Sequence, residues 1–173
     1  MKKITAVLFG AAVVVAVGCS AAGAAIASSS SEESDDFIRS SDELVAAYLD
    51  EAEVLEADLP TDISFPEDSP YLVLPKGAVA ESGVADAFAN FYWLCSWEKS
   101  YLDGVHAGDV TVQADALDHI AQWPSQPFTK EHVVDPDGLW NTTVLEPALA
   151  GDPSAVAAEF ESSCGAFTEA NPE

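Results

Sequence analysis

The stretch FYWLCSWEKSYLDG, residues 91–104, places five aromatic side chains and one of three cysteines within fewer than four helical turns. Because an α-helix turns about 100° per residue, these side chains and their neighbours fall into two stripes on opposite sides. The first stripe, which we expect to face the core, contains Val84, Phe88, Phe91, Tyr92, Cys95 and Leu102. The second stripe contains Trp93, Trp97 and Tyr101, close to Asp86 and Asn90. A helix that is apolar on two sides is usually central in its domain.

The second stripe has two interpretations. If the preceding predicted helix packs over it, its rings belong to the core. If nothing covers it, the rings form an exposed platform flanked by a carboxylate and an amide, which suits sugar rings or the surface of a protein partner. The candidate binding face is therefore Asp86, Asn90, Trp93, Trp97 and Tyr101, and cell-wall glycan or another surface protein is its expected partner.

Capping signals predict the helix before the aromatic stretch. Ser40 and Glu43 form a capping box, and Pro60 follows the end of the helical pattern, so we expect a helix over about 41–58. Residues 61–77 contain three prolines, which indicate an extended connector over the surface. Only residues 71–74 of this connector could form a strand.

The remaining chain also has helical patterns. The aromatic helix is predicted from about residue 82 to Asp103, with Gly104 as its C-terminal cap. Three more helices are predicted over 110–122, 139–145 and 153–164, the last of them ending at Gly165. The sequence therefore predicts an all-α fold, a small bundle of about five helices.

The cysteines predict one disulfide. Three cysteines in an exported chain leave one without a partner, and lipidation of Cys19 would account for it. Cys95 and Cys164 would then pair in an oxidising compartment and join two helices through their packed faces. Such a bridge closes a loop of about 70 residues, for which the chain-entropy model gives roughly 4 kcal/mol.

The N-terminus has the pattern of an export signal. Lys2 and Lys3 precede an apolar segment, and no other charged residue occurs before Glu32. Ala16-Val17-Gly18-Cys19 resembles the lipobox of bacterial lipoproteins, with Ala16 where leucine is usual. This resemblance covers only the first 19 residues, and it implies lipidation of Cys19.

Two other fates of the signal are open. The A-x-A sequence 25–27 would release a soluble secreted protein, and the apolar run 4–27 is long enough to remain as a membrane anchor. The lipoprotein interpretation divides the chain into a signal peptide (1–18), a flexible acidic and Ser-rich tether (19–40) and one helical domain (41–173). It places the protein on the extracytoplasmic side of the cell membrane, held by its lipid.

The charge of the chain is strongly negative. All 30 acidic residues and four of the six basic residues follow residue 31, which gives that part a net charge of −26. Nucleic acid is disfavoured as a partner, because its binding requires basic residues that displace phosphate counterions. Solubility outside the cell is the simpler explanation of this acidity.

Few residues indicate catalysis or metal binding. His119 and Asp115 lie four apart on a predicted helix and could hold zinc with a distant third ligand, although a capping histidine explains them as well. Glu98, next to Lys99, is a candidate general acid or base, with a surface ion pair as the alternative. No nucleophile motif is present, and the sequence indicates no cofactor.

The sequence as a whole predicts a surface-tethered, extracytoplasmic binding or interaction module without evident catalysis. The alternative is an extracytoplasmic hydrolase that acts on cell-wall polymers through carboxylates such as Asp86 and Glu98. An enzyme requires a concave pocket with converging polar groups, whereas the binding module requires an open patch.

Overall fold

The structure, a computed structural model, describes residues 37–172. This part of the chain is all-α, as predicted. Its helices are α1 (Ser41–Leu55), α2 (Gly83–Ala107), α3 (Val110–Ile120), α4 (Pro127–His132), α5 (Glu146–Leu149), α6 (Ser154–Ser163) and α7 (Gly165–Ala170). None of the helices within 37–172 has the length and hydropathy needed to cross a membrane. Cys19 and most of the predicted tether lie outside the described residues.

Helix α1 forms where the capping box predicts it. The Ser40 hydroxyl accepts a hydrogen bond from the Glu43 N–H (3.2 Å), and the Glu43 carboxylate accepts one from the Arg39 N–H (2.7 Å). A 3₁₀ turn, Glu56–Asp58, continues the helix to its predicted end. The capping box that the sequence indicates is therefore present in the structure and sets the start of α1.

The domain begins before residue 41. Strand β1 (Phe37–Ile38) pairs antiparallel with β2 (Ala80–Glu81), so residues 37–40 belong to the folded domain and not to the predicted tether. The connector between α1 and β2 contains a 3₁₀ turn, Pro70–Leu72, in place of the strand expected over 71–74. Its Leu72 side chain is buried, so the connector packs onto the domain.

Helix α2 is the centre of the domain, and it packs against α1, α3, α4, α6 and α7. It ends one turn beyond the predicted cap. Gly108, with φ +68°, takes the left-handed capping position, whereas Gly104 remains inside the helix. A Cβ atom at Gly104 would lie 3.1 Å from both the Gln113 nitrogen and Val112 Cγ1. The role of Gly104 is therefore to let α2 and α3 approach closely.

The C-terminal part has more helices than predicted. Helix α4 occupies what was expected to be a loop, and the predicted helix 139–145 is a π-helical segment, Asn141–Leu145, that continues into α5. Helix α6 ends at Ser163, close to its predicted end, and Gly165, predicted as the stop of this helix, is the first residue of a further helix, α7. Cys164 lies between these two helices and is bonded to Cys95 of α2. The predicted inter-helix disulfide is thus present.

Candidate functional site: an apolar pocket beside α2

The second stripe is core. Trp93, Trp97 and Tyr101 are 0%, 5% and 2% exposed, so they do not form an open platform. The 3₁₀ turn after α1 lies over the tryptophans, because both indole N–H groups donate to the Asp58 carbonyl oxygen, at 3.1 and 2.9 Å. The interpretation in which the first helix covers these rings is the one that the structure supports.

Helix α3 completes the cover. The His119 ring stacks on Trp97 with a centroid distance of 3.7 Å and an interplanar angle of 8°. Its Nε2 lies 3.2 Å from Asp58 Oδ1, and its Nδ1 lies 2.9 Å from the Asp115 carbonyl oxygen. Both ring nitrogens therefore have partners inside the protein, which explains His119 as a packing and capping residue.

The polar members of the candidate binding face are also used internally. Asn90 is 2% exposed and donates to Glu51 Oε1 (2.8 Å) and to the Asp86 carbonyl oxygen (2.9 Å). Asp86 is partly buried, and burial raises the pKa of its carboxyl; the negative charge of Glu51 adds to the increase. Asp86 and Tyr101 lie fifteen residues apart on α2, about 22 Å along its axis, and the other three residues of the candidate face lie between them. All but Asp86 are buried, so the five residues form no open patch.

A cavity of about 480 Å³ opens on the other side of α2. Its volume lies within the range of about 300–1,000 Å³ that is usual for small-molecule sites. The first stripe forms its floor, and it contributes five of its residues: Val84, Phe88, Phe91, Tyr92 and Cys95. The walls come from α1, the connector and the α6–α7 junction, which contribute Tyr48, Pro66, Ser69, Tyr71, Leu72, Ser163, Gly165, Ala166 and Phe167.

The pocket departs from the expectation that the first stripe faces the core. Phe91 is 37% exposed, and Val84 and Phe88 are only partly buried. The proline-rich connector passes over this side of α2 and leaves a gap, which the hydrophobic side chains line. The tryptophan stripe is thus core, whereas the phenylalanine stripe is buried at Tyr92 and Cys95 and partly accessible at Val84, Phe88 and Phe91.

Two tyrosines line the pocket, and their hydroxyl groups differ in hydrogen bonding. The Tyr92 hydroxyl donates to the Ser64 carbonyl oxygen (2.9 Å) and accepts from Asn171 Nδ2 (3.0 Å). The Tyr48 hydroxyl is buried and has no hydrogen-bond partner among residues 37–172. Burial, reinforced by the neighbouring Tyr92, raises the pKa of Tyr48, so its hydroxyl remains protonated and able to donate.

The mouth of the pocket carries negative charge. Tyr71, 43% exposed, has its pKa raised by a hydrogen bond with Glu169 and by the charge of that carboxylate. No Lys or Arg side chain is among the described residues that line the pocket. This electrostatic environment disfavours an anionic ligand.

Glu98 is neither exposed nor paired with Lys99. Lys99 instead binds Asp103 at 2.6 Å, whereas Glu98 is 0% exposed and its Oε1 has no hydrogen-bond partner in the part of the chain that the structure describes. Its other oxygen lies 3.3 Å from Cys164 Sγ. Because a bridged sulfur carries no proton, a hydrogen bond here requires that the carboxyl group donate. Burial, with a smaller contribution from the charge of Glu159, raises the pKa of Glu98 to about 9, so the group is protonated at neutral pH.

Among the described residues, the side chains suggested for zinc binding and for catalysis do not come together in a site. Within residues 37–172, the cluster of three ligand-type side chains is Cys95, Glu98 and Cys164, and its sulfurs are bonded to each other. The zinc hypothesis for His119 and Asp115 gains no third ligand in this part of the chain. Asp86 and Glu98 are twelve residues apart on α2, which separates them by about 18 Å along the helix axis. That distance is too great for two carboxylates acting on one glycosidic bond.

The pocket was not predicted from the sequence pattern. Helical periodicity places both stripes correctly on opposite sides of α2, but it does not indicate which side the connector leaves uncovered. One feature of the sequence does suggest that the phenylalanine side is incompletely covered. The prolines at 66, 70 and 75 prevent the connector from forming a long regular element over the phenylalanines.

Comparisons with known proteins assign no family. No protein family matches the chain, and no curated protein or solved structure resembles it at a significant level. The function therefore has to be inferred from the pocket itself.

Proposed function

We propose that this protein is an extracytoplasmic binding module whose binding site is the apolar pocket beside α2. The observation that carries the proposal is a cavity of about 480 Å³ lined mainly by aromatic and aliphatic side chains. Apolar pockets with a few convergent polar groups are the usual form of small-molecule sites. The exposed edges of Phe91 and Tyr71 give a ligand access to the cavity.

The chemistry of the pocket selects a neutral, mainly apolar ligand with a hydrogen-bond acceptor. Its apolar part would replace water against the phenylalanine side of α2. Its acceptor, such as a carbonyl or alcohol oxygen, would bind the unpartnered Tyr48 hydroxyl. Glu169 at the mouth and the acidic surface disfavour a free carboxylate or phosphate. A neutral lipid fragment or an apolar aromatic molecule fits these conditions.

The proposal keeps the lipid anchor at Cys19 and the location outside the cytoplasmic membrane. Its support is the export-type N-terminus with its lipobox-like segment, together with the Cys95–Cys164 disulfide, which is typical of oxidising compartments. The second stripe is not proposed to bind cell-wall glycan or another surface protein, because its rings are buried. A hydrolase acting through Asp86 and Glu98 is disfavoured by their separation.

A neutral fluorescent probe, N-phenyl-1-naphthylamine, tests the proposal. We expect its emission to increase and saturate with the wild-type domain, because the probe moves from water into the pocket. Ala166→Trp fills part of the pocket and should weaken binding at least tenfold. Ala157→Trp, a matched change at an exposed position of α6, should leave binding unchanged.

The hydroxyl of Tyr48 is tested with decan-1-ol as a competitor of the probe. Tyr48→Phe removes one oxygen that has no hydrogen-bond partner in the described part of the protein, so folding should be preserved. A hydrogen bond contributes about 0.5–1.5 kcal/mol net, so the variant should bind decan-1-ol about threefold to tenfold more weakly. Equal probe binding by wild type and Ala166→Trp would contradict the pocket, and equal decan-1-ol binding by Tyr48→Phe would contradict the polar contact.

A further inference from the structure

The disulfide adjoins both the pocket and a buried carboxyl group. Cys95 is among the residues that line the cavity, whereas Cys164 is not, within the described part of the chain. Glu98, one helical turn after Cys95, places Oε2 3.3 Å from Cys164 Sγ. The three side chains have ligating atoms within 4.8 Å of one another, and all three are buried.

We propose that Cys95–Cys164 is a thiol–disulfide exchange site, in which Glu98 donates a proton to the Cys164 sulfur when a dithiol reduces the bridge. A purely structural bridge needs no acid beside it. A buried carboxyl group with one oxygen that has no partner within residues 37–172 is also costly for the fold, which favours a chemical role for it. The inference goes beyond ligand binding and uses the pocket only as the route to Cys95.

The reaction has two steps. The dithiol enters the pocket in its neutral form, because the pocket disfavours anions, and one of its thiols loses a proton to water. The resulting thiolate attacks Cys95 Sγ and forms a mixed disulfide, while the Cys95–Cys164 bond breaks and leaves its electron pair on Cys164 Sγ. The Glu98 proton moves to that sulfur, so that a thiol and a Glu98 carboxylate result. The second thiol of the dithiol then attacks its own sulfur in the mixed disulfide. Cys95 leaves with the proton of that thiol, and the dithiol departs as a cyclic disulfide.

Glu98 is suited to this role because it holds its proton at neutral pH. Burial is the main reason for its raised pKa, and Glu159 of α6 is the charged side chain that adds to it. Without proton donation, reduction would leave a thiolate in an apolar site, and burial disfavours that charge. Donation from Glu98 is expected to stop as the pH rises through about 9.

The experiment measures reduction of the folded protein by dithiothreitol from pH 6 to 10, with rates divided by the concentration of dithiothreitol thiolate. Trapping the free thiols and weighing the protein gives the rate. We expect a constant normalised rate for the wild type at lower pH and a decrease around pH 9. Glu98→Gln should react on the order of 10²-fold more slowly at pH 7, without the decrease, because an amide cannot serve as the acid.

Glu159→Gln provides a second variant that keeps the acid itself. Removing the Glu159 charge lowers the pKa of Glu98, so the decrease in rate should move to lower pH while the plateau is retained. The proposal would be overturned by equal normalised rates for wild type and Glu98→Gln. Reduction that requires global unfolding, seen as a rate that follows the unfolding equilibrium in urea, would overturn it as well. Neither readout depends on a ligand in the pocket.

Discussion

Trp93 and Trp97 show how a single residue pair can combine apolar packing with a satisfied polar group. Their indole rings are buried, and both N–H groups reach the same carbonyl oxygen, that of Asp58. A tryptophan can be placed in a core at low cost only when its N–H finds a partner. The sequence locates these rings on one side of a helix, but it does not contain the information that Asp58 covers them.

Trp93→Ala should reduce the free energy of unfolding by about 3–5 kcal/mol, because it empties a large core site and leaves the Asp58 carbonyl oxygen without this donor. Urea unfolding under non-reducing conditions measures the effect. Val54→Ala, at a side chain of α1 that is 73% exposed, is the control and should change stability by less than about 0.5 kcal/mol. A small loss for Trp93→Ala would mean that the ring is exposed in the free protein.

Glu98 should make stability depend on pH in a defined window. Its pKa is about 9 in the folded protein and near 4.5 when unfolded, so the stability that its protonated form contributes is complete below pH 4.5 and is lost as the pH rises to 9. Glu98→Gln removes this dependence. The stability of the variant relative to wild type should therefore increase by about 1.4 kcal/mol per pH unit between pH 5 and 8. A difference that does not change with pH would show that the carboxyl group is ionised in the folded state.

The helices that begin at a clear capping residue were predictable from the sequence. Ser40 and Glu43 determine the start of α1, and Asp109 starts α3 by accepting the N–H groups of Thr111 and Val112. Helices α4 and α7 contain only six residues each and are unstable in isolation, so packing on α2 determines them. No local pattern in the sequence carries that information.

Gly104 is a second example of a structural role that the local sequence pattern does not reveal. A glycine near the end of a helical pattern predicts a cap, but here it marks the closest approach of two helices. Gly104→Val should cost about 1–3 kcal/mol, because the larger side chain forces α3 away from α2. Ala107→Val, at an exposed position of the same helix, should cost less than about 1 kcal/mol in thermal or urea unfolding. Equal costs for the two variants would contradict the tight contact.

At the scale of the whole molecule, the sequence predicted the fold class, the central helix and the disulfide, because these depend on periodicity and cysteine parity. The disulfide joins residues 69 positions apart and holds the α6–α7 junction against α2. The pocket depends instead on how the connector, which has little regular structure, crosses α2. The packing of three separate chain segments decides whether the first stripe is covered, and hydropathy alone does not determine that arrangement.

A crystal structure of the domain with decan-1-ol would show whether the pocket beside α2 is the binding site, because it locates the ligand as well as detecting it. We expect the alkyl chain to lie along Phe88 and Phe91, with its hydroxyl within about 3.2 Å of the Tyr48 hydroxyl. Crystals grown at saturating decan-1-ol in which Phe88 and Phe91 close the cavity, with no ligand density inside it, would contradict the claim that this pocket is the binding site.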